Sequence, residues 1–361
     1  MLSDLEYMSR ALDLAERGRG TTSPNPMVGA VVVSPDGMIV GQGRHPRAGE
    51  PHAEALALDE AGERARGGTL YVTLEPCCHF GRTAPCTGRV IASGVSRVVI
   101  AMEDPNPLVN GQGIAELRAA GITVEVGLLE AEARRLNQPF ITVQTHARPA
   151  VILKVAVSSD GRIAARPGVK TAISSAAANR RVQRLRGVVD AIAVGSETVL
   201  VDDPLLTVRE LVRPRPLVRA VFDRRLRTPP QARLLKTLAH GPVIILTSAA
   251  TMASEPEQVR ALTQAGATVV PGGERIETAV RALLAYEVSS VLVEGGATVH
   301  RALLDADVVD TVHLIVAPIA LGATGVPVFG TGIVGLPGLE PRSVERVGPD
   351  DWMEFDVHGN R

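Results

Sequence analysis

The chain is 361 residues long, with 45% hydrophobic and 21% charged residues and a formal net charge of −1 at pH 7. That length is better divided between two domains than packed into one, and the composition is that of a globular protein. A charge near zero gives no global field to hold nucleic acid or a membrane surface, and 2% aromatic residues leave few ring faces for stacking single strands. Three cysteines, two of them adjacent, make no disulfide framework and suit a reducing compartment. The opening Met1-Leu-Ser-Asp-Leu-Glu-Tyr7 lacks a basic stretch followed by an apolar one, and no run of about 18 apolar residues occurs. The expectation is a cytoplasmic protein with no membrane and no nucleic-acid partner.

Leu5, Met8, Ala11, Leu12 and Ala15 recur at helical spacing, so the chain opens with an amphipathic helix. Thr21–Pro26 is a breaker cluster. Val28–Val33 is an apolar run that predicts a buried strand, Pro35-Asp-Gly37 a hairpin turn, and Met38–Gly43 the returning strand. His52–Ala65 predicts a helix and Thr69–Leu74 a strand. Helices at 87–93 and 113–120 then alternate with strands at 97–101 and 123–126. This alternation implies an α/β layer architecture. The first pattern closes near Leu136, and Asn137–Pro149, with two prolines and mixed polarity, is expected to be a linker. The domains are therefore set at 1–146 and 147–361. The second half restarts with a strand at Val151–Val157. Further strands are expected at 191–195, 217–222, 243–247, 291–294 and 312–317, with helices at 176–186 and 256–265. Trp352–Val357 alternates apolar and polar, as an antiparallel strand with one solvated face does.

The strongest chemical signal is His52-Ala-Glu54 followed by Pro76-Cys77 and Cys86. Zinc takes nitrogen and sulfur ligands, and a catalytic site keeps three protein ligands and one water. Metal coordination brings the water's pKa to about 7, and a Glu that is not a ligand must carry protons to the leaving ammonia. A His-x-Glu with a later pair of cysteines is the pattern of zinc deaminases. His52, Cys77 and Cys86 are then the metal ligands, one Zn2+ per chain, and Glu54 the catalytic proton shuttle. Eight residues separate the cysteines instead of the common two, so Cys78–Pro85 loops out beside the metal. A structural zinc, or three unrelated buried residues, is the alternative. Cys78 is set aside as a small buried thiol.

Further words in the sequence carry a resemblance. Pro24-Asn-Pro-Met-Val-Gly29, His52-Ala-Glu54, Thr73-Leu-Glu-Pro-Cys-Cys-His-Phe-Gly-Arg-Thr-Ala-Pro-Cys86 and Asp104-Pro-Asn-Pro107 stand in the first half. Leu153-Lys-Val-Ala-Val-Ser-Ser-Asp-Gly-Arg-Ile163, Gly195-Ser-Glu-Thr-Val199, Asp202-Asp-Pro204 and Val293-Glu-Gly-Gly296 stand in the second. Together they resemble the bifunctional riboflavin-biosynthesis deaminase–reductase family over nearly the whole chain. The resemblance implies a three-layer α/β/α cytidine-deaminase-like domain followed by an α/β domain similar to dihydrofolate reductase. It implies hydrolysis of the 2-amino group of 2,5-diamino-6-(5-phosphoribosylamino)pyrimidin-4-one, then NADPH-dependent reduction of ribosyl to ribityl. It also implies a homo-oligomer, dimer or tetramer, acting on a small pyrimidine ribotide.

By the same resemblance Asn25, His79, Arg82, Asp104 and Asn106 contact the deaminase substrate. Asn25 lies between two prolines and can read a pyrimidine edge, although Asn-Pro is also a common turn. His79 and Arg82 form a basic pair suited to a 5′-phosphate, or else a solvated loop. Asp104-Pro-Asn-Pro107 follows a strand end, where α/β sites gather, or is only a tight turn.

In the second half, Lys154 lies within an apolar strand, where a lone ammonium is costly unless partnered or functional; a strand-end Lys that snorkels is the alternative. Glu294-Gly-Gly296 precedes an Ala-rich helix, and glycines there let backbone approach a pyrophosphate. The full Gly-x-Gly-x-x-Gly fingerprint is absent from the sequence, so a Rossmann domain is the poorer choice. The resemblance places Ala156, Ala172, Thr198, Asp202, Arg224, and Gly295, Gly296, Ala297, Thr298, Val299, His300, Arg301 and Ala302 on the cofactor. It places Lys154, Arg186, Asp202, Leu206, Arg209 and Glu294 on the ribosyl substrate. Ala172 stands where many relatives carry an aromatic residue that packs on the cofactor. That departure motivates a second reading, a deaminase whose C-terminal half is a catalytically silent binding or dimerisation module. A third, a deaminase of nucleic-acid bases, is opposed by the charge and the scarcity of aromatics.

Overall fold

The computed structural model describes residues 2–79, 85–209, 211, 213–328 and 341–357. The chain divides into two compact units between Ala147 and Arg148.

The first unit begins with α1 (Asp4–Glu16), started by a capping box in which Ser3 and Glu6 satisfy each other's backbone N–H. Its buried face is Tyr7, Met8, Ala11, Leu14 and Ala15, whereas Leu5 is 52% exposed. The stripe is thus rotated from the one expected, because the Tyr7 hydroxyl donates to the Gly37 carbonyl at the hairpin and turns that side of the helix inward. The elements β1 (Gly29–Val33), β2 (Ile39–Arg44), α2 (Ala53–Ala61), β3 (Thr69–Val72), α3 (Cys86–Ser93), β4 (Arg97–Ile100), α4 (Gln112–Ala119) and β5 (Thr123–Val126) follow. The predicted 52–65 helix stops at Ala61. Gly62, at φ +54°, breaks it into a 3-10 turn, and His52 is the N-cap. The sheet order is β2-β1-β3-β4-β5, antiparallel across the first three strands and parallel from β3 to β5.

Two glycines show how helices reach both faces of this sheet. A Cβ on Gly29 would lie 1.9 Å from the Ala11 carbonyl of α1, and one on Gly43 2.1 Å from the Ala53 carbonyl of α2. Gly43 pairs with Ala30, the residue after Gly29, and successive strand residues point to opposite faces. So α1 and α2 cover opposite faces, and the all-valine centre of β1 is buried from both.

The expected linker is a correction. Residues 130–146 form α5 (Glu130–Leu136) and α6 (Gln138–His146), the second begun by Pro139 in its first turn and ended by Ala147 in the left-handed conformation. Proline suits a helix start, where its missing N–H is not needed. The Asn137 amide is buried and clasps both the N–H and the carbonyl of Met27, at 2.7 and 2.9 Å.

In the second unit the elements are β6 (Ala150–Ser158), β7 (Arg162–Ala164), α7 (Ala176–Val188), β8 (Ala191–Gly195), α8 (Ser196–Asp202), β9 (Val218–Phe222) and β10 (Val243–Thr247). They continue as α9 (Ala249–Ser254), α10 (Pro256–Gln264), β11 (Ala267–Pro271), α11 (Ile276–Ala282), β12 (Ser290–Val293), α12 (Ala297–Asp305), β13 (Thr311–Ala317), β14 (Val326–Pro327), β15 (Ser343–Val347) and β16 (Asp350–Asp356). The main sheet runs β11-β10-β9-β8-β12-β6-β13-β16-β15. It is parallel except for β16, which pairs antiparallel with β13 and β15. The parallel strands are near-continuous Val, Ile, Leu and Ala, as strands covered on both faces must be. Arg148, the first residue of the unit, forms a bidentate ion pair with Asp310, both under 7% exposed.

Candidate functional site

In the first unit His52 caps α2, Cys86 opens α3, and Cys77 lies on the segment leaving β3. The fold brings the three together. His52 Nδ1 lies 3.5 Å from Cys77 Sγ and 3.3 Å from Cys86 Sγ, and all three donor atoms fall within 4.8 Å of one another. A tetrahedral zinc with ordinary bond lengths needs about 3.6 Å between nitrogen and sulfur donors, so this donor set fits Zn2+. A hydrogen bond from Cys86 holds the Cys77 thiol well below its usual range, and the same bond pushes Cys86 up. Among the described residues no fourth protein donor joins the group, which leaves one coordination position for a small molecule.

Glu54, in the first turn of α2, is 3% exposed, and its Oε2 has no hydrogen-bond partner among the described residues. Burial pushes its carboxyl up, with the Cys77 charge adding to the shift, so it can hold a proton where an exposed Glu would not. Cys78 is part-exposed and faces the Leu108 carbonyl at 4.0 Å, so the expected burial does not hold.

Around this group lie four of the expected substrate residues. The Asn25 amide nitrogen is 3.1 Å from His45 Nε2, while His45 Nδ1 is 3.2 Å from the Pro51 carbonyl. A carbonyl can only accept, so Nδ1 carries the proton and Nε2 accepts from Asn25. Burial keeps the ring neutral. Asn25 Oδ1 is thereby left uncommitted among the described residues. His45 also sits edge-on to His52, with ring centroids 5.3 Å apart. His79 has a buried Nδ1 without a partner among the described residues. Asp104 is 7% exposed, and burial pushes its pKa up to about 6. Its Oδ1 accepts from Asn106 N–H at 2.8 Å, and Asn106 Oδ1 from Leu108 N–H at 3.1 Å, so this segment is also the pair of tight turns that the sequence allowed. Arg82 lies outside the described residues. His45 and Glu75 escaped the sequence reading. Glu75 was visible only as part of a motif, and His45 only as a polar residue at the end of a glycine-rich strand.

In the second unit β8 and β12 end side by side, Glu294 N–H donating to the Ala193 carbonyl at 3.0 Å. Glu294 receives a bidentate pair from Arg186 of α7, at 2.5 and 2.7 Å, with side chains 8% and 14% exposed. Arg186 also donates to the Thr207 carbonyl, and Arg209 N–H to Gln183, which pulls the 205–209 segment, with buried Leu206, against α7. Lys154 lies in mid-strand, not at a strand end. Its ammonium makes no hydrogen bond or ion pair among the described residues; burial pulls its pKa down and Glu294 partly offsets this. His300, on the inner face of α12, is 3% exposed with both ring nitrogens unpartnered among the described residues, and its pKa is held at about 4, chiefly by burial.

A Cβ on Gly295 would lie 2.6 Å from Thr198 Oγ1, and Gly296 at φ +84° caps α12. Backbone is thus bare beside Thr198 at the start of a nine-residue helix, a cradle that fits the phosphates of a dinucleotide such as NADPH. The other expected cofactor residues are less convergent. Ala156 packs beside Trp352 and Ile315; Ala172 is exposed between β7 and α7. Arg224 is exposed at the end of β9, and Asp202 ends α8, its carbonyl accepting from Lys170 at 3.3 Å. Along α12, Ala297, Val299 and Ala302 are half-buried, whereas Thr298 is exposed and Arg301 is drawn along the helix by Asp305 at 2.8 Å. A helix cannot aim consecutive side chains at one ligand, so only the first turn and inner face of that stretch are placed to share a site.

Comparison with known proteins agrees with both units. Residues 1–102 match the cytidine and deoxycytidylate deaminase zinc-binding region, and residues 149–351 the RibD C-terminal domain. Riboflavin biosynthesis protein RibD of Aquifex aeolicus is 41% identical over 351 residues, 96% of each chain. That of Escherichia coli is 42% identical over 373 residues, 97% of this chain and 98% of its own. Among solved structures, Acinetobacter baumannii RibD superposes with a TM-score of 0.86 at 36% identity, over 98% of both chains. The deaminase/reductase of Thermotoga maritima gives 0.84 at 36%, also over 98% of both. The relatives span both units, so a silent C-terminal module is not the favoured reading. Among the described residues no helix is long and apolar enough to cross a membrane. A zinc-type donor triad in a cytidine-deaminase-like unit, a reductase unit of the NADPH-using kind, and relatives matched end to end make this chain a member of the RibD family of bifunctional riboflavin-biosynthesis enzymes.

Proposed function

We propose that residues 1–146 hydrolyse the 2-amino group of 2,5-diamino-6-(5-phosphoribosylamino)pyrimidin-4-one, and that residues 147–361 reduce the ribosyl group of the product with NADPH. The observation that carries the first half is the convergence of His52, Cys77 and Cys86 beside the buried Glu54, whose Oε2 has no partner among the described residues. His52, Cys77 and Cys86 would hold one zinc per chain, which supplies a water acidic enough to ionise at neutral pH. Glu54 moves protons between that position and the departing amine, a role its burial and raised pKa favour. Asn25 presents Oδ1 to a pyrimidine N–H because His45 holds its amide in one orientation. His79 and Arg82 suit the phosphate, and Asp104 and Asn106 the remainder of the ribotide.

In the second unit Gly295, Gly296 and Thr198 would cradle NADPH, which supplies the hydride, with Arg224 placed for its 2′-phosphate. Arg186, Glu294, Lys154, Asp202, Leu206 and Arg209 receive the ribosyl phosphate. We also assign a cytoplasmic homo-oligomer, dimer or tetramer, to be checked by sedimentation.

The test supplies zinc-loaded protein with the diaminopyrimidine ribotide and NADPH while ammonia and absorbance at 340 nm are followed together. Ammonia release followed by stoichiometric NADPH loss is expected. Chelation should stop the first and leave the second intact when deaminated substrate is supplied. Ammonia without NADPH oxidation would refute the reductase assignment.

A further inference from the structure

Among the described residues no cationic side chain pairs with Glu75. It is 2% exposed, and among the described residues its oxygens meet only backbone N–H groups. Oε2 accepts from Asp104 at 3.1 Å and from Gly111 at 3.0 Å, and Oε1 accepts from Ile114 at 3.1 Å. These donors stand at the start of the 104–111 segment, at its end, and in the first turn of α4. The charge is thus neutralised by three N–H dipoles, one of them in the positive end of a helix. Glu75's own N–H donates to the Met102 carbonyl at 3.0 Å. Contact is close throughout. A Cβ on Gly113 would lie 2.2 Å from the Pro76 carbonyl and 3.2 Å from Glu75 Oε1.

Two residues after Glu75 the same backbone delivers Cys77, through the restrained Pro76. One side chain therefore fixes both ends of the segment bearing Asp104 and Asn106 to the strand end that carries a metal-ligand candidate. A space-filling role would be met as well by an apolar side chain; a role in registering the segment needs an anion with two acceptors. We infer that Glu75 is a positioning residue for the deamination, setting where Asp104 and Asn106 stand relative to the metal group. This rests on the proposed contact of those two residues with substrate.

The test is Glu75→Gln in the full-length, zinc-loaded protein. Gln offers one acceptor and turns an NH2 toward backbone donors, so the segment loses its register. A displacement of this kind raises the KM for the diaminopyrimidine ribotide about 10- to 100-fold. The kcat should stay within about threefold of the parent, because Glu54 and the metal ligands are untouched. Zinc content per chain, and the reduction of supplied deaminated substrate, should not change. Glu75→Asp, which keeps the charge but reaches fewer donors, should give a smaller rise. Asp104→Ala and Asn106→Ala run in parallel. If neither raises KM, the substrate assignment of the segment is wrong. If they do and Glu75→Gln does not, Glu75 has no positioning role. Unfolding of both Glu75 variants, or loss of zinc and kcat at unchanged KM, would overturn the proposal in favour of simple structural support.

Discussion

Replacing Glu294 by Gln removes the negative partner of two cations while keeping the side-chain volume. Arg186, 14% exposed, loses a bidentate acceptor and faces an NH2 instead, and Lys154 loses the charge that offsets its burial. Breaking a buried pair from one side costs about 3–5 kcal/mol, because the remaining charge is left uncompensated. A unit of this size moves by about 2–4 °C per kcal/mol. The melting transition of the second unit should fall by roughly 6–20 °C, with deaminase activity at 25 °C unchanged. The measurement is a thermal scan of the full chain, with each activity assayed after heating to stepped temperatures. The double variant Arg186→Met/Glu294→Met is the control. It removes the paired charges, leaving only Lys154 without its anion, and should recover at least half of the loss. A Glu294→Gln shift under about 2 °C, or a double variant as unstable as the single, would show that the pair carries no such energy.

Glu54→Gln should lower deaminase kcat by about 10²- to 10⁴-fold with zinc content and reductase activity retained; deamination at the parental rate refutes the shuttle. Asn137→Ala leaves both backbone groups of Met27 without partners and should cost the first unit about 1–3 kcal/mol, read as a lower urea midpoint of deaminase inactivation. His300 and His313 are buried with pKa values held at about 4 against 6.5, so the unfolded chain binds protons between pH 6.5 and 4 that the folded chain does not. The second unit should therefore lose stability as pH falls through that window, and less so in His300→Gln. A urea midpoint at pH 5 equal to that at pH 7 counts against it.

The sequence was most legible where chemistry needs particular residue types. His52, Glu54, Cys77 and Cys86 could be paired across thirty-odd residues because few other functions require that set. Strands such as Val28–Val33 were legible because burial on both faces demands an unbroken apolar run. The phase of α1 was not, because what turned Leu5 outward is a hydrogen bond from Tyr7 to a hairpin carbonyl thirty residues away. The 138–146 helix was hidden because two prolines read as a linker, while its anchor, Asn137, finds its partner at Met27. The same holds for His45, Glu75 and the Arg186–Glu294 pair: their roles lie in partners that only the tertiary fold supplies.

The place of β6 in its sheet has a consequence for biosynthesis. All five strands of the first sheet lie within residues 29–126, so that unit has its complete set before β6 leaves the ribosome. β6 is the first strand of the second unit, yet both its neighbours, β12 and β13, come from residues 290–317. During synthesis it must wait, Val-rich and unpaired on both edges, until most of the remaining chain has been made. A nascent or truncated chain ending before Thr311 would thus carry a finished deaminase unit tethered to an open strand. That intermediate is the one a chaperone must shield and the one most prone to aggregate.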